Sequence, residues 1–545
     1  MRYMMSKSVK RYLEEKIGKP VKLEHPEREE WGDYAFFSRD GKTEIRPDEV
    51  VERTERVGNF TNIWLQNRWL ISQMERVIEE GNSFGRTSLM QGKKIMVEFT
   101  DPNPFKEFHI GHLYSNTVGE AVCRLMEFQG AEVWRVCYQG DVGLHVAKSV
   151  WGMKRLNAEM PNSGADLGEG AKFMGKAYAL GAGAYEEDEN AKGEINDLNK
   201  KIYDQDSEVM ELWQKGKAWS LEYFERIYGR VGTKFKKYYF ESEAGGVGLD
   251  LVKKHLQDKV FEESKGAVVF PGEKYGLHTR VFINSLGLPT YEAKELGLAP
   301  TKYKDFPYDL SIIITGNEIN EYFRVLLKAL EVINPDLASK TRHLSHGMVR
   351  LPEGKMSSRT GKVVTGEWLL DEAARKIKEM AVDTPEPDKI GKAAVKYAFL
   401  RVGVGKDIEF DFSESISFEG NSGPYLQYTY ARTQSVLAKY QKTRNKIQTK
   451  YNYEYNDEER SILRYLYRFP EIVEEAAVRL APNLVCNYLY DLASRFNTFY
   501  NKHSILRANE AETGSRQFRL LLTVAVGQVI KNGLGLLGIE APGRM

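Results

Sequence analysis

Two histidines three residues apart, His109 and His112, flank a glycine in the run Phe108-His109-Ile110-Gly111-His112-Leu113. With 9 His and 47 Gly in 545 residues, His-x-Gly-His arises by chance about 0.01 times. On a helix the two imidazoles share the face of one turn, where both can donate to a phosphate. Gly111 carries no side chain, so a flat ring can lie against its backbone. A second cluster stands far along the chain: Lys355-Met356-Ser357-Ser358-Arg359, after Gly354 and before Thr360-Gly361-Lys362. A loop so dense in cations and hydroxyls suits charge that develops on a phosphate during reaction. Each cluster alone has a plain structural explanation, capping histidines in one case and a solvated basic loop in the other. Together they point to nucleotide chemistry.

The elements that must position these groups are legible around them. Ile95-Met96-Val97 reads as a buried strand, and Pro102 and Pro104 force the extended loop that follows. Leu113, Val118, Val122, Leu125 and Met126 then recur at helical spacing, so the histidines open a helix. A helix N-terminus after a strand and tight loop offers free N–H groups and the positive end of its dipole to an anion. The apolar run 132–138 leads into the glycine loop 139–143, and strand–helix–strand alternation predicts a parallel sheet with ligands at the strands' carboxyl ends. Residues 153–240 read as a helical insertion, a solvated scaffold between two halves of that sheet. Apolar runs at 268–270, 280–283, 310–315 and 347–351 resume the strands, and from 371 the pattern is almost entirely helical. The expected organisation is a small N-terminal domain (1–90), a Rossmann-type α/β catalytic domain (91–152 and 241–370), the insertion (153–240) and an all-α C-terminal domain (371–545).

Composition sets looser bounds. A formal net charge of +1 shows no overall basic footprint for nucleic acid, so any such surface is local. Cys123, Cys137 and Cys486 are dispersed and form no CxxC, which argues for core thiols in a reducing compartment and against a zinc site or a disulfide framework. No long apolar run suggests a signal peptide or a membrane span, and a cytoplasmic monomer is expected.

The paired motifs resemble the HIGH and KMSKS signatures of class I aminoacyl-tRNA synthetases, and other stretches resemble the arginyl-tRNA synthetase family in particular. These are the runs 102–112 (PNPFKEFHIGH), 138–143 (YQGDVG), 287–297 (GLPTYEAKELG), 420–432 (GNSGPYLQYTYAR) and 488–500 (YLYDLASRFNTFY). The resemblance implies activation of L-arginine by ATP, with Mg²⁺ accompanying the ATP and no dedicated protein metal site, followed by transfer to tRNA-Arg. It implies catalytic roles for Lys106, His109, His112 and Lys355. ATP would also be touched by Gly111, Met348, Val349, Met356 and Ser357. Arginine would be held by Glu98, Asn103, His112, Tyr291 and Glu295, because a guanidinium requires acceptors in a planar fork. The N-terminal domain, with its Gly32–Phe37 stretch, would contact the tRNA elbow. The C-terminal domain would bind the anticodon of the tRNA through Tyr488, Asn497 and Tyr500.

Three departures stand out. Ser358 replaces a lysine common in the class, a cation that Lys106 can restore, and the arginine family shows the same trade. Glu295 stands where an aspartate is usual, and Ile319 where glutamine is usual. Two other functions compete: a small-molecule nucleotidyl transferase on the same fold, and a non-catalytic RNA-binding paralogue. The long helical C-terminus argues against the first. Intact His109, Gly111, His112 and Lys355 argue against the second.

Overall fold

A computed structural model describes residues 9–38, 45–161, 167–351, 364–381, 384–441, 453–506 and 513–545. They form two compact units, one from Met1–Leu89, Ala381–Tyr397 and Ser413–Met545, the other from Met90–Met380 and Ala398–Phe412. The boundary expected at 370 falls inside the helix Gly366–Met380, which stays with the second unit. The N-terminal residues and the C-terminal helices, expected as separate domains, pack as a single body.

The second unit is built on a five-stranded, all-parallel sheet. Its order is Thr341–His346, Leu310–Gly316, Lys94–Glu98, Glu132–Gln139, Lys237–Phe240. The chain enters at the central strand Lys94–Glu98 and later returns to its other side, so the loops after Lys94–Glu98 and Leu310–Gly316 diverge and leave a crevice. Apolar content explains the inner strands, whose residues 95–98 and 311–314 are buried. The edge strand Thr341–His346 is polar, which is why the sequence pattern does not announce it. Three of the expected strands lie elsewhere: Ala267–Phe270 and Arg280–Ile283 form a separate antiparallel sheet with Glu262–Ser264, and the run 347–351 gives only Val349–Arg350, paired with Ile408–Glu409.

Two glycines set a close helix crossing in this unit. A Cβ on Gly248, in the helix Glu241–Gln257, would lie 1.8 Å from the carbonyl oxygen of Ala293. One on Gly297, in the helix Tyr291–Asp305, would lie 2.4 Å from the carbonyl oxygen of Ala244. The helices meet backbone to backbone, and this fixes where Glu295 sits.

The insertion, helices Leu167–Glu187, Glu189–Tyr203 and Ser207–Val231, is more than the solvated scaffold its charge suggests. Its apolar face surrounds Phe105 of the catalytic loop, and Ser220 Oγ accepts the Phe105 N–H at 2.8 Å. Lys217 reaches the buried Asp141 carboxylate of the glycine loop at 2.7 Å. Both bonds tie the insertion to loops at the carboxyl ends of the strands.

The other unit has an antiparallel sheet, order Leu23–Glu24, Tyr34–Phe37, Phe60–Leu65, Val51–Val57, beside the helix Asn67–Glu80. Its C-terminal part contributes the helices Gly423–Gln441, Asp457–Leu466, Phe469–Arg479, Asn483–Lys502 and Thr513–Leu536. No described helix is long and apolar enough to cross a membrane.

The helix crossing supplies a test. Gly248→Ala forces a Cβ into a carbonyl oxygen and is expected to cost about 1–3 kcal/mol in urea unfolding. Gly246→Ala, on the same helix with nothing within 4 Å of its Cβ, is expected to be neutral or to stabilise by up to about 1 kcal/mol.

Candidate active site

The loop between the first strand and the histidine helix is folded against the ordinary preference of its residues. Thr100, Asp101 and Phe105 have φ of 82°, 44° and 70°, a left-handed region that costs a non-glycine residue about 1–3 kcal/mol. The surroundings over-determine it. Ser115 Oγ accepts the Thr100 N–H at 2.9 Å, Asn116 donates to Thr100 Oγ1 at 3.0 Å, and Asp101 Oδ1 accepts the Tyr138 N–H at 2.8 Å.

His109 caps the helix Ile110–Phe128. Its Nδ1 accepts the N–H groups of Gly111 (3.1 Å) and His112 (3.4 Å), while His112 Nδ1 accepts the His109 N–H (3.1 Å). The capping explanation of the motif and the functional one are therefore both true. With Nδ1 of each ring accepting, a neutral ring carries its proton on Nε2 and can donate it outward. The rings stack with centroids 3.5 Å apart. A Cβ on residue 111 would sit 3.0 Å from the His109 ring, so the ring that Gly111 admits is a neighbouring imidazole.

Burial and the nearby Lys106 ammonium lower His109 to about 4, and burial together with the charge of His109 holds His112 well below its ordinary value. Both rings are thus neutral near pH 7. Lys106 is half-buried and makes no hydrogen bond or ion pair among the described residues. Its ammonium lies 5.3 Å from the Tyr178 ring centroid, and burial and the Lys148 charge lower its pKa. A cation so placed lacks its anion.

The two histidines open on a cavity of about 470 Å³ at the crevice. Asp101, Asn103, His109, Gly111, His112, Glu318, Ile319, Met348 and Val349 line it. The Met348 N–H is fixed by Asp407 Oδ1 at 2.9 Å, and Val349 pairs with Ile408. A larger cleft of about 1460 Å³ lies in the other unit between helices of both charge signs and holds none of this chemistry. Lys355, Met356, Ser357 and Ser358 lie outside the described residues. The segment just after them is placed beside the histidines: Ile110 N–H donates to Val364 O at 2.9 Å, and Gly366 N–H to Phe108 O at 2.8 Å.

A cluster of acids adjoins the cavity. Glu98 is buried with Lys302, Nζ to Oε2 at 2.6 Å. Glu295 is 9 % exposed and makes no hydrogen bond or ion pair among the described residues. Burial first, and the Glu98 charge second, raise the pKa of both Glu295 and Asp101 well above the carboxylate range. Tyr291, one turn before Glu295, is 57 % exposed, so the two share a helix but not an environment. Asn103 packs against Gly140, where a Cβ would come within 2.4 Å of its Oδ1.

Several members of the site carry no motif. Glu241, at the start of the helix Glu241–Gln257, pairs with Lys294 at 2.7 Å, both buried, and its Oε1 would lie 3.0 Å from a Cβ on Gly140. His145 Nε2 bonds Gly140 O at 2.9 Å. The Tyr138 hydroxyl is buried without a partner, and burial with the charges of Glu241 and Glu295 raises its pKa. The repeated glycines and a Glu at a strand end were the only sequence signals for any of them.

In the other unit, Asn497 and Tyr500 sit on a surface patch. The Arg432 guanidinium carbon lies 5.0 Å from the Tyr428 ring centroid and 4.7 Å from that of Tyr500, and Arg432 bonds Asn497 Oδ1 at 2.5 Å. Tyr488 departs from expectation. It is 4 % exposed, donates its hydroxyl to Tyr465 O at 2.8 Å and packs on Phe469, so it is a core residue with no face to offer a base.

A parallel sheet whose crevice is opened by a capped His-x-Gly-His helix is the architecture of a class I aminoacyl-tRNA synthetase catalytic domain. Residues 73–413 match the family profile described as tRNA synthetases class I (R), catalytic domain, and residues 426–545 that of the DALR anticodon binding domain. The chain is 32% identical to the arginine–tRNA ligase of Treponema denticola, over 95% of this chain and 93% of that one. It is 30% identical to that of Clostridium kluyveri, over 96% of each. The solved structure of Thermus thermophilus arginyl-tRNA synthetase shares the fold, with a TM-score of 0.81, 24% identity and 100% of both chains covered. The chain belongs to the arginyl-tRNA synthetase family.

The lowered imidazoles carry a stability consequence. His109, near 4 when folded and near 6.5 when unfolded, binds more protons unfolded between those values. Stability is therefore complete above about pH 6.5 and falls as pH drops toward 4. His109→Asn should flatten that loss, read as the urea midpoint at pH 4.5 and 7.5. An unchanged slope would show the ring is not held neutral.

Proposed function

We propose that this chain activates L-arginine with ATP and transfers the arginyl group to tRNA-Arg. The observation that supports this reading is the charge around one crevice: His109 and His112 line it with Lys106 near enough to lower His109, and among the described residues the buried Glu295, adjoining it, makes no ion pair. ATP supplies the anion and a guanidinium the cation.

An oxygen of the arginine carboxylate attacks the α-phosphorus, the bond to the bridging oxygen breaks, and pyrophosphate leaves with that electron pair. The protein needs to hold two reactants in line and to meet charge as it shifts. His109 and His112 donate from Nε2 without first needing protonation, so their contribution is constant across neutral pH. Lys106 places a full charge beside them, and Lys355 is proposed to follow the leaving pyrophosphate. Met348 and Val349 carry backbone groups at the cavity wall for the nucleotide. In the second step a terminal ribose hydroxyl of tRNA attacks the arginyl carbonyl and AMP leaves.

Among the described residues no group of three or more His, Cys, Asp or Glu side chains is placed to hold a metal ion. Magnesium enters as a companion of ATP, which needs few protein ligands. The three cysteines are buried and form no disulfide, which supports the cytoplasm. The patch of Tyr428, Arg432, Asn497 and Tyr500 is proposed as the tRNA-stacking surface, since aromatic and guanidinium planes accept unpaired bases.

Pyrophosphate exchange with each amino acid, with and without tRNA, tests the function: arginine alone should support it. Lys106→Ala should lower kcat for adenylate formation by about 10²-fold with the arginine KM little changed, and Ser358→Lys in that background should recover part of the loss. Glu295→Gln should lower arginine kcat/KM by about tenfold or more. Exchange driven equally by another amino acid, or a Glu295→Gln enzyme within about twofold of the parent, would refute the arginine pocket.

A further inference from the structure

We infer that Tyr178, on the insertion helix Leu167–Glu187, is a positioning residue for the Lys106 ammonium, an assignment that rests on the role proposed above for Lys106. A lysine ammonium ends a flexible four-carbon stem, and a group that meets phosphate charge acts best when it is already in place. Among the described residues no carboxylate holds Lys106. Its neighbour is the face of the Tyr178 ring, 5.3 Å from Nζ to the centroid. Glu107, the next residue, is turned instead toward the helix at Gly175, where a Cβ would lie 3.2 Å from its Oε1.

A ring suits this task better than an acid. A carboxylate in ion-pair contact would hold the ammonium more firmly, but it would cancel the charge that the reaction uses. An aromatic face attracts a cation through its quadrupole and adds no charge of its own. It also yields to a phosphate, which offers a charge-assisted hydrogen bond in its place. The Tyr178 hydroxyl makes no hydrogen bond among the described residues, so the ring face is what this residue contributes.

The helix has little freedom to place that ring elsewhere. It crosses the helix Leu144–Arg155 backbone to backbone on both sides of Tyr178. A Cβ on Gly152 would lie 2.0 Å from the carbonyl oxygen of Ala177, and one on Gly181 would lie 2.0 Å from that of Lys148. The small residues that follow Ala177 in the sequence permit this approach. Further along the same helix, Tyr185 repeats the arrangement: Lys148 Nζ lies 4.0 Å from its ring centroid and 3.6 Å from Glu186. Burial and the Lys148 charge both work against the charged form of Lys106. An aromatic face beside an ammonium that is desolvated and repelled offsets part of that cost.

The test separates the ring's electrostatics from its shape. Adenylate formation is followed by pyrophosphate exchange, with tRNA present, in Tyr178→Phe, Tyr178→Leu, Tyr178→pentafluorophenylalanine, Lys106→Ala and the double variant of Lys106→Ala with Tyr178→Leu. Tyr178→Phe keeps the ring face and should stay within about twofold of the parent. Tyr178→Leu should lower kcat about fivefold with the arginine KM little changed. The pentafluorinated ring has nearly the same shape and a reversed quadrupole, so it should match Tyr178→Leu. In the Lys106→Ala background, Tyr178→Leu should add no further loss, whereas a structural role would add its full effect. A Tyr178→Leu enzyme within about twofold of the parent, additive losses in the double variant, or a fluorinated ring that behaves as Tyr178→Phe overturns the assignment while the role of Lys106 stands. If Lys106→Ala is as active as the parent, the role of Lys106 is wrong and the assignment falls with it.

Discussion

The site depends on a short run of backbone that would not hold its shape alone. Thr100, Asp101 and Phe105 occupy left-handed φ within six residues, and Thr100 is β-branched, the least tolerant type there. Such strain persists only where neighbours enforce it. Here the enforcement comes from three directions: the histidine helix through Ser115 and Asn116, the next strand through Tyr138, and the insertion through Ser220. In return the loop turns Asp101, Asn103 and His109 toward one crevice, with Lys106 near enough to act on the His109 ring. The insertion is therefore part of the catalytic apparatus, although none of its own residues need touch a substrate.

Charge is distributed around that crevice with a clear polarity. On the side proposed for the nucleotide stand the neutral imidazoles, with the half-buried Lys106 ammonium near them. On the other side, acids outnumber the cations that could neutralise them, with Lys302 on Glu98 and Lys294 on Glu241. Lys302 is buried with its partner, so it fixes the carboxylate's direction without filling the remaining acceptors. Buried pairs of this kind contribute more to geometry than to net stability.

The sequence displayed the parts of this arrangement that are local. The histidine cap, the proline-broken loop and the apolar central strands lie within about one element of each other, so spacing alone exposes them. What it concealed was long-range or two-sided. Glu241 and Lys302 join the site only because distant helices cross at Gly248 and Gly297. The strand Thr341–His346 is polar at the sheet edge and has no apolar signature. Tyr488 shows the opposite failure: an aromatic on a helix can face in or out, and the family resemblance gave Tyr488 and Tyr500 the same reading although one is core and the other stacks on Arg432.

The unit made from Met1–Leu89 and Ser413–Met545 has a temporal consequence. Its interior is stitched by bonds between residues made at very different times. Tyr34 donates to Glu471 across 437 residues, Arg464 meets the buried Asp33 carboxylate at 3.1 Å, and Asn532 donates to Gly81 O and Phe84 O. At ribosomal speeds the Tyr34 bond waits roughly 20–90 s for its acceptor. Through that interval a short antiparallel sheet stands without the helices that cover it, while the whole parallel-sheet unit is already synthesised. The sheet residues are thus among the last of the described residues to reach their final neighbours, and burial of that sheet waits for helices made more than 400 residues later.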